Sequence, residues 1–322
     1  MSVGRAEDAP SRVLRLGRPA SLEITLKLQR RGPGDPTHRR DGPLWFRATR
    51  TPEGPALVKL LLAGDTVSAR AWGAGADWAL DQLPRLAGAG DEAAAEFVPR
   101  PEHAPLVAAH RRWPHYRVGA TDAAFEALAP ACIEQVVTGK EAFRAWRLLV
   151  TEYGEPAPGP ARDPGSPAYG MRIPPEPEVW ARIPSWTFLA AGVEERRSRS
   201  LVRAARRAAA VERTLGRPSA EVDRALRSLP GVGPWTSAEV RQRAHGDADA
   251  WSIGDYHVGK QITYALLGEA LDDDACLELL EPYRGHRFRV QTLLSLTAPA
   301  PPRRGPRMTL PTHTPYATRG RS

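Results

Sequence analysis

The chain has 322 residues, of which 42% are hydrophobic, enough for a sizeable core and in favour of two domains. Its formal net charge of +8 favours a polyanionic partner. Cys132 and Cys276 are the only two cysteines, which excludes a disulfide framework and a four-cysteine iron–sulfur cluster. No apolar run is long enough for a membrane span and no signal-like start is present, so we expect a cytoplasmic protein with no membrane partner.

The residue pattern in the first third of the chain predicts a disordered N-terminal segment followed by a mixed α/β domain. Residues 1–18 are polar and are expected to be disordered. Between residues 20 and 72, alternation and turn residues predict an antiparallel sheet with strands at SLEITLKL, LWFRAT, ALVKLLL and TVSARAW. Helical patterns follow in ADWALDQLPRLAG and PEHAPLVAAHRRW. The predicted N-terminal domain covers residues 19–115.

The apolar period changes to that of helices over residues 116–296, which predicts an all-α second domain. Thr121 or Asp122 is expected to cap its first helix. A second helix is predicted over residues 140–153, followed by a loop rich in proline and glycine, and then by a strongly basic helix over residues 194–215.

The remaining segment, residues 297–322, is basic and proline-rich and is predicted to be an unstructured tail. Taken together, the patterns predict the α+β fold class. In this arrangement a mixed α/β N-terminal domain with an antiparallel sheet precedes an all-α domain.

The most informative segment is LPGVGPWT, residues 229–236, between two helical patterns. Gly231 and Gly233 can adopt positive φ and leave no Cβ in front of the backbone. Pro234 suits the first position of the following helix, whose free N–H groups form an anion site suited to a phosphate. Ser219 is expected to cap the helix before the turn.

Asp255 opens a further helical pattern twenty residues beyond Trp235. The runs LPGVGPWTSAEV and GDADAWSIGDYHVGK together resemble the helix-hairpin-helix DNA glycosylases, most closely the AlkA-like 3-methyladenine DNA glycosylases. The resemblance covers residues 116–296 well. It implies that Asp255 drives base excision, and that a hairpin grips DNA phosphates beside a flipped nucleotide through Gly231, Val232, Gly233 and Thr236. It also implies a monovalent cation on the hairpin carbonyls; no other cofactor and no metal site are expected.

Excision of a base from DNA calls for a carboxylate near the sugar. Cleavage of an N-glycosidic bond builds positive charge on the sugar, and a carboxylate beside C1′ stabilises that charge and orients the attacking water. Asp255 is the candidate, and the alternative is that it only caps its helix. By the resemblance, Trp235 stands where strand-cutting members carry a Schiff-base lysine, which predicts a glycosylase without lyase activity. Trp235 is expected to stack on the flipped base or, alternatively, to pack the hairpin core.

Other residues are candidates for the base pocket and the DNA surface. Glu239, one turn after Trp235, is expected either to face solvent or to bring an acidic group near a cationic base. Gln135 and Val136 resemble the family's turn that plugs the gap left by the flipped nucleotide. Val136 is then the wedge, with a buried valine as the alternative. Further pocket candidates, with core packing as the alternative, are Trp186, Trp251 and Tyr256. Basic residues expected to contact phosphates or to be merely solvated are Arg196, Arg197, Arg199, Arg203, Arg206, Arg207, Arg284, His286, Arg287 and Arg289.

The predicted function is monofunctional excision of alkylated purines, of the 3-methyladenine and 7-methylguanine type, from damaged duplex DNA in base excision repair. The protein is expected to act as a monomer. One alternative is a glycosylase for oxidised or deaminated bases. The other is a non-catalytic helix-hairpin-helix DNA-binding protein, for which Asp255 is dispensable.

Overall fold

A five-stranded antiparallel sheet forms the N-terminal part of the computed structural model, which describes residues 9–298 and 301. The strands follow the spatial order β1-β5-β4-β3-β2, and tight turns join β2 to β5 into a meander. The predicted strands at LWFRAT, ALVKLLL and TVSARAW are confirmed. The strand bounds are β1 Ser11–Arg15, β2 His38–Asp41, β3 Leu44–Thr51, β4 Gly54–Ala63 and β5 Thr66–Trp72.

Two N-terminal predictions are wrong. Residues 11–15, predicted to be disordered, form β1 and pair with residues 66–70 at the edge of the sheet. SLEITLKL, predicted to be a strand, forms helix α1, Leu22–Gln29. Leu22 and Leu26 are buried one helical turn apart, in the same core as the sheet, so packing overrides the alternating pattern. Residues 1–8, which share the prediction of disorder, lie outside the described residues.

Helices make up most of the remaining chain. The first set is α2 Ala76–Asp81, α3 Leu83–Leu86, α4 Ala104–Arg112, α5 Ala124–Glu134 and α6 Gly139–Tyr153. A small two-stranded antiparallel sheet follows, formed by β6 Glu155–Pro156 and β7 Arg172–Ile173, in a segment that was predicted to be only a loop within an all-α domain. The second set is α7 Pro177–Arg182, α8 Ser185–Ala190, α9 Glu195–Ala205, α10 Ala208–Glu212, α11 Ser219–Arg227, α12 Pro234–Val240, α13 Val258–Leu267, α14 Asp273–Leu280 and α15 Arg287–Thr297.

In the described part of the chain, no helix combines the length and the apolar character that crossing a bilayer requires.

Helix α5 lies at the centre of the helical part. Between Ala124 and Ile133 only Glu126 is not buried, and the helix contacts α6, α9 and α12. A helix that is apolar all round has to be enclosed by other elements. Because α5 is enclosed, the turn that follows its C-terminus at residues 135–138 has a fixed position.

The N-terminus of α5 is not capped as predicted. Neither Thr121 nor Asp122 provides a side-chain cap. The Glu212 carboxylate does so from the end of α10, accepting from the backbone N–H of Ala124 at 3.0 Å and of Phe125 at 2.8 Å. The cap comes from 87 or more residues away in the sequence, where no local pattern indicates it.

Two further helix predictions need correction. The basic helix predicted over residues 194–215 is interrupted after α9 and resumes as α10. Ser219 is the first residue of α11 rather than its cap, and its hydroxyl donates to Asp247.

The cores do not follow the predicted boundary between residues 115 and 116. Helix α2 packs on β4 and β5, whereas α4 contacts α13 and α15. Leu106 of α4 lies in one hydrophobic core with Leu293 and Leu294 of α15. The last helix of the predicted N-terminal unit therefore packs with the C-terminal helices. The predicted tail lies almost wholly outside the described residues.

Candidate active site

The turn between α11 and α12 uses its two glycines differently. Gly231 has a φ of +93°, and a Cβ there would lie 1.9 Å from Ser200 Oγ on α9. Gly233 has a φ of −94°, and a Cβ there would meet no atom within 4 Å. The prediction of positive φ is confirmed for Gly231 and wrong for Gly233. Pro234 opens α12 as predicted. Of these two positions, only 231 requires glycine.

Gln135 fastens the turn after α5 to this hairpin. Its Nε2 donates to the Gly231 carbonyl at 2.8 Å and to Thr236 Oγ1 at 2.9 Å. The side chains of Val232 and Thr236 are buried, at 6% and 2% exposure. At these two positions a contact with DNA would therefore come from the backbone, and the predicted DNA contacts stay predictions. The predicted turn and the predicted hairpin form one surface.

Val136 points into solvent from that surface. Its side chain is 95% exposed, which contradicts the interpretation of a buried valine. Its φ is +51°, in the left-handed region that β-branched residues avoid. A backbone of this kind costs on the order of 1–3 kcal/mol and persists only where its surroundings impose it. Here an apolar side chain is held outward at that cost.

Asp255 is half-buried, and both of its carboxylate oxygens accept hydrogen bonds. Oδ1 accepts from the backbone N–H of His257 at 2.8 Å and of Val258, the first residue of α13, at 3.1 Å. Oδ2 accepts from Trp235 Nε1 at 3.1 Å. The carboxylate thus binds the backbone N–H groups of His257, the N-cap residue, and of the first residue of α13. It also contacts the hairpin helix, so a role at the helix start does not exclude a second one.

The other predicted aromatic residues do not converge on this pair. Tyr256 is 75% exposed, and Lys260 Nζ lies 4.0 Å from the centroid of its ring. Trp186, on α8, is 73% exposed. Within the described residues, no hydrogen bond or ring contact joins Trp186 or Tyr256 to Trp235. Trp251 is buried in the C-terminal core. The structure brings together Asp255 and the half-buried Trp235.

Glu239 does not face solvent, so that interpretation made from the sequence is wrong; an acidic group near a cationic base stays a prediction. The Glu239 side chain is buried, with Oε1 accepting from Ser252 Oγ at 2.8 Å and Oε2 paired with Arg243 at 2.5 Å. Ser252 was not among the residues predicted from the sequence. Its side-chain partners lie as far as 39 residues away, and no motif marks it.

The basic residues predicted to contact phosphates divide into buried and exposed ones. Arg197 is buried and donates to the carbonyls of Ile133 and Gly192, both at 2.8 Å, so its role is internal. Arg289, on α15, is likewise buried and forms an ion pair with Asp91 at 2.7 Å. The exposed arginines on and just after α9, which packs beneath the hairpin at Ser200, are Arg196, Arg199, Arg203, Arg206 and Arg207.

Comparisons with known proteins identify the fold. No family model and no curated protein matches the sequence. The structure resembles the 3-methyladenine DNA-glycosylase from Archaeoglobus fulgidus, with 18% identity, a TM-score of 0.71, and 88% of this chain and 97% of that chain covered. It also resembles the 8-oxoguanine glycosylase/lyase of Clostridium acetobutylicum in complex with DNA, with 13% identity, a TM-score of 0.67, and 88% and 93% coverage. This chain has the fold of these DNA glycosylases. The predicted fold class is confirmed.

The two glycines of the hairpin should respond differently to the same substitution. Gly231→Ala places a Cβ against Ser200 at positive φ, so we expect the free energy of unfolding to fall by about 2 kcal/mol or more. Gly233→Ala adds a Cβ in open space, and we expect a change within about 0.5–1 kcal/mol. Urea denaturation of both variants measures the difference. Equal losses of stability would contradict this explanation of the turn.

Proposed function

We propose that this chain is a monofunctional DNA glycosylase that flips and excises alkylated purines, of the 3-methyladenine and 7-methylguanine type, from duplex DNA in base excision repair. One observation carries the proposal: in a glycosylase fold, three N–H donors hold the Asp255 carboxylate beside the hairpin helix. A protein that used the hairpin only to bind DNA would not need a carboxylate fixed at this place.

Excision breaks the bond between C1′ and the base nitrogen, and the electron pair leaves with the base. Positive charge then develops on the sugar, where the Asp255 carboxylate stabilises it. The same carboxylate orients a water molecule and accepts its proton as the water oxygen bonds to C1′. The products are the free base and an intact abasic site.

Trp235 is the reason for proposing a cationic, alkylated purine as the excised base. Purines alkylated at N3 or N7 carry a positive charge, which makes them good leaving groups and lets them lie on an aromatic face. The half-buried Trp235 indole stands next to Asp255. The Tyr256 ring already has Lys260 over it. We therefore assign stacking of the flipped base to Trp235.

The DNA surface is assigned to the elements beside this pair. Val136 projects an apolar side chain that fills the space left in the base stack by the flipped nucleotide. The backbone at Gly233, with no protein atom in front of it, approaches a phosphate. The exposed arginines of α9 and the net charge of +8 add attraction that does not depend on sequence.

A monovalent cation at the hairpin is part of the proposal, because the donor set fits one. The Leu229 carbonyl accepts from Val232 N–H at 3.0 Å, and the Gly231 carbonyl accepts from Gln135. Each oxygen keeps a second lone pair, and carbonyl oxygens suit hard cations. Such an ion would be held by these carbonyls and would offset the charge of a nearby phosphate.

Asp255→Asn should abolish excision and spare DNA binding, because the carboxylate stabilises charge present only in the transition state. We expect a loss on the order of 10²-fold or more in single-turnover rate. The assay uses duplexes that each carry one lesion: 7-methylguanine, hypoxanthine or 8-oxoguanine. The matched control is Asp274→Asn, the same change at an exposed position of α14. Normal excision by D255N would refute the mechanism, and preferential release of 8-oxoguanine would favour the oxidised-base alternative.

The product should be an intact abasic site without a covalent intermediate. By the family resemblance Trp235 stands in the lysine position, and Lys260 lies over Tyr256. We therefore expect no protein–DNA adduct when the reaction is run with borohydride, which reduces Schiff bases. Gel electrophoresis of the quenched reaction is the measurement. An adduct that disappears in a Lys260→Ala variant would show lyase chemistry instead.

Val136→Gly should separate stability from activity. Glycine accepts positive φ, so the free energy of unfolding should not fall and should rise by up to about 1 kcal/mol. Excision from duplex DNA should fall about tenfold, which corresponds to about 1.4 kcal/mol of stacking that the wedge no longer supplies. Excision from the same lesion in a single strand should not change, since no gap needs filling there. An equal loss on both substrates would rule out the wedge.

A further inference from the structure

Two contacts, one helical turn apart on α12, join this helix to the segment that carries Asp255. Trp235 Nε1 donates to Asp255 Oδ2 at 3.1 Å, and four residues later Glu239 Oε1 accepts from Ser252 Oγ at 2.8 Å. The Ser252 carbonyl in turn accepts the backbone N–H of Asp255 at 3.2 Å. Both ends of the turn from Ser252 to Asp255 are therefore attached to the same helix.

The direction of the Ser252 hydroxyl is fully determined. A hydroxyl has one proton to donate and two lone pairs that accept. Gln242 Nε2 and Gln291 Nε2 each donate to Ser252 Oγ at 2.9 Å, which fills both lone pairs. The backbone N–H of Ser252 is also used, donating to Gln291 Oε1 at 2.9 Å. The hydroxyl proton is therefore donated to Glu239. Ser252 is 1% exposed, so water does not compete for this proton.

The second carboxylate oxygen of Glu239 also has a fixed partner. This oxygen pairs with Arg243, which also donates to the Leu28 carbonyl of α1 at 3.2 Å. A second ion pair, Arg31 with Glu134 at 2.5 Å, lies close enough to interact electrostatically with Glu239. The two cations, Arg31 and Arg243, are offset by the carboxylates of Glu134, Glu239 and the buried Asp35, which also acts on Arg31. The Glu239 carboxylate thus keeps one orientation and one partner in the Asp255 segment.

We propose that Glu239 is a positioning residue for Asp255. Through Ser252 it holds the turn from Ser252 to Asp255 on the hairpin helix, which keeps the Asp255 carboxylate beside Trp235 without any contact between Glu239 and the substrate. The inference rests on the proposed catalytic role of Asp255. A displacement of about 1 Å at a reacting group is enough to cost on the order of 10²-fold in rate.

Three variants test this role. Ser252→Ala removes the hydroxyl and leaves the Glu239–Arg243 ion pair intact. Glu239→Gln removes the charge and offers an amide where Arg243 needs an acceptor. Ser237→Ala is the matched control, because Ser237 is fully buried on the same helix and its hydroxyl donates to a carboxylate, Asp223, at 2.7 Å. That bond points toward α11 and away from the Asp255 segment.

Two measurements are made on each full-length variant. The first is the ¹H–¹⁵N resonance of the Trp235 indole, assigned with Trp235→Phe, which reports the bond to Asp255 directly and independently of activity. The second is the single-turnover excision rate and the Kd for a 7-methylguanine duplex. We expect Ser252→Ala and Glu239→Gln to shift the resonance and to lower the rate at least about tenfold, with Kd within about twofold. Ser237→Ala should change neither the resonance nor the rate, although its stability falls.

The outcomes separate this inference from the proposed function. An indole resonance that stays in place in both variants overturns the positioning role, whatever the activity. A shifted resonance with an unchanged rate also overturns it if D255N is inactive. If D255N still excises bases, the proposed catalytic role of Asp255 has failed, and the resonance alone then decides whether Glu239 positions Asp255.

Discussion

The position of one carboxylate depends on two segments that meet only in the folded chain. Asp255 receives two backbone N–H bonds at the start of α13 and one indole N–H bond from α12. The first two are local, because their donors lie two and three residues after Asp255. The third exists only because α12 lies against the segment before α13. That contact aligns the carboxylate with the hairpin that we propose grips DNA.

The hairpin is itself held in place by contacts with α9 and with the end of α5. Gly231 sits directly on Ser200 of α9, and Gln135 ties the hairpin to the end of α5, a helix enclosed on all sides. This frame explains how Val136 keeps an unfavourable backbone conformation while its side chain makes so little contact with the protein. The strain is imposed by rigid neighbours on either side, which is the condition under which such conformations persist.

Local patterns were sufficient for the positive φ of Gly231 and for Pro234 at the start of α12, because a few adjacent residues determine each of these features. They failed where distant partners decide. Packing on the sheet makes a helix of SLEITLKL, and Glu212 caps α5 from more than 80 residues away. Glu239 was taken for a pocket or surface residue. Its spacing from Arg243 allows an ion pair one helical turn away, but nothing in the sequence indicates that Glu239 is buried or that Ser252, 13 residues on, is its other partner. Gly233 was expected to share the positive φ of Gly231, because the sequence does not show that α9 lies against one glycine and open space against the other.

The most direct measurement is a crystal structure of the D255N variant bound to a duplex that carries 7-methylguanine. We predict a flipped nucleotide whose base lies on the Trp235 indole and whose C1′ lies about 3–4 Å from the side chain at position 255. We also expect Val136 to occupy the gap that the nucleotide leaves. A lesion that stays stacked in the helix, or that flips into a site remote from Asp255, would contradict the proposed role of this carboxylate.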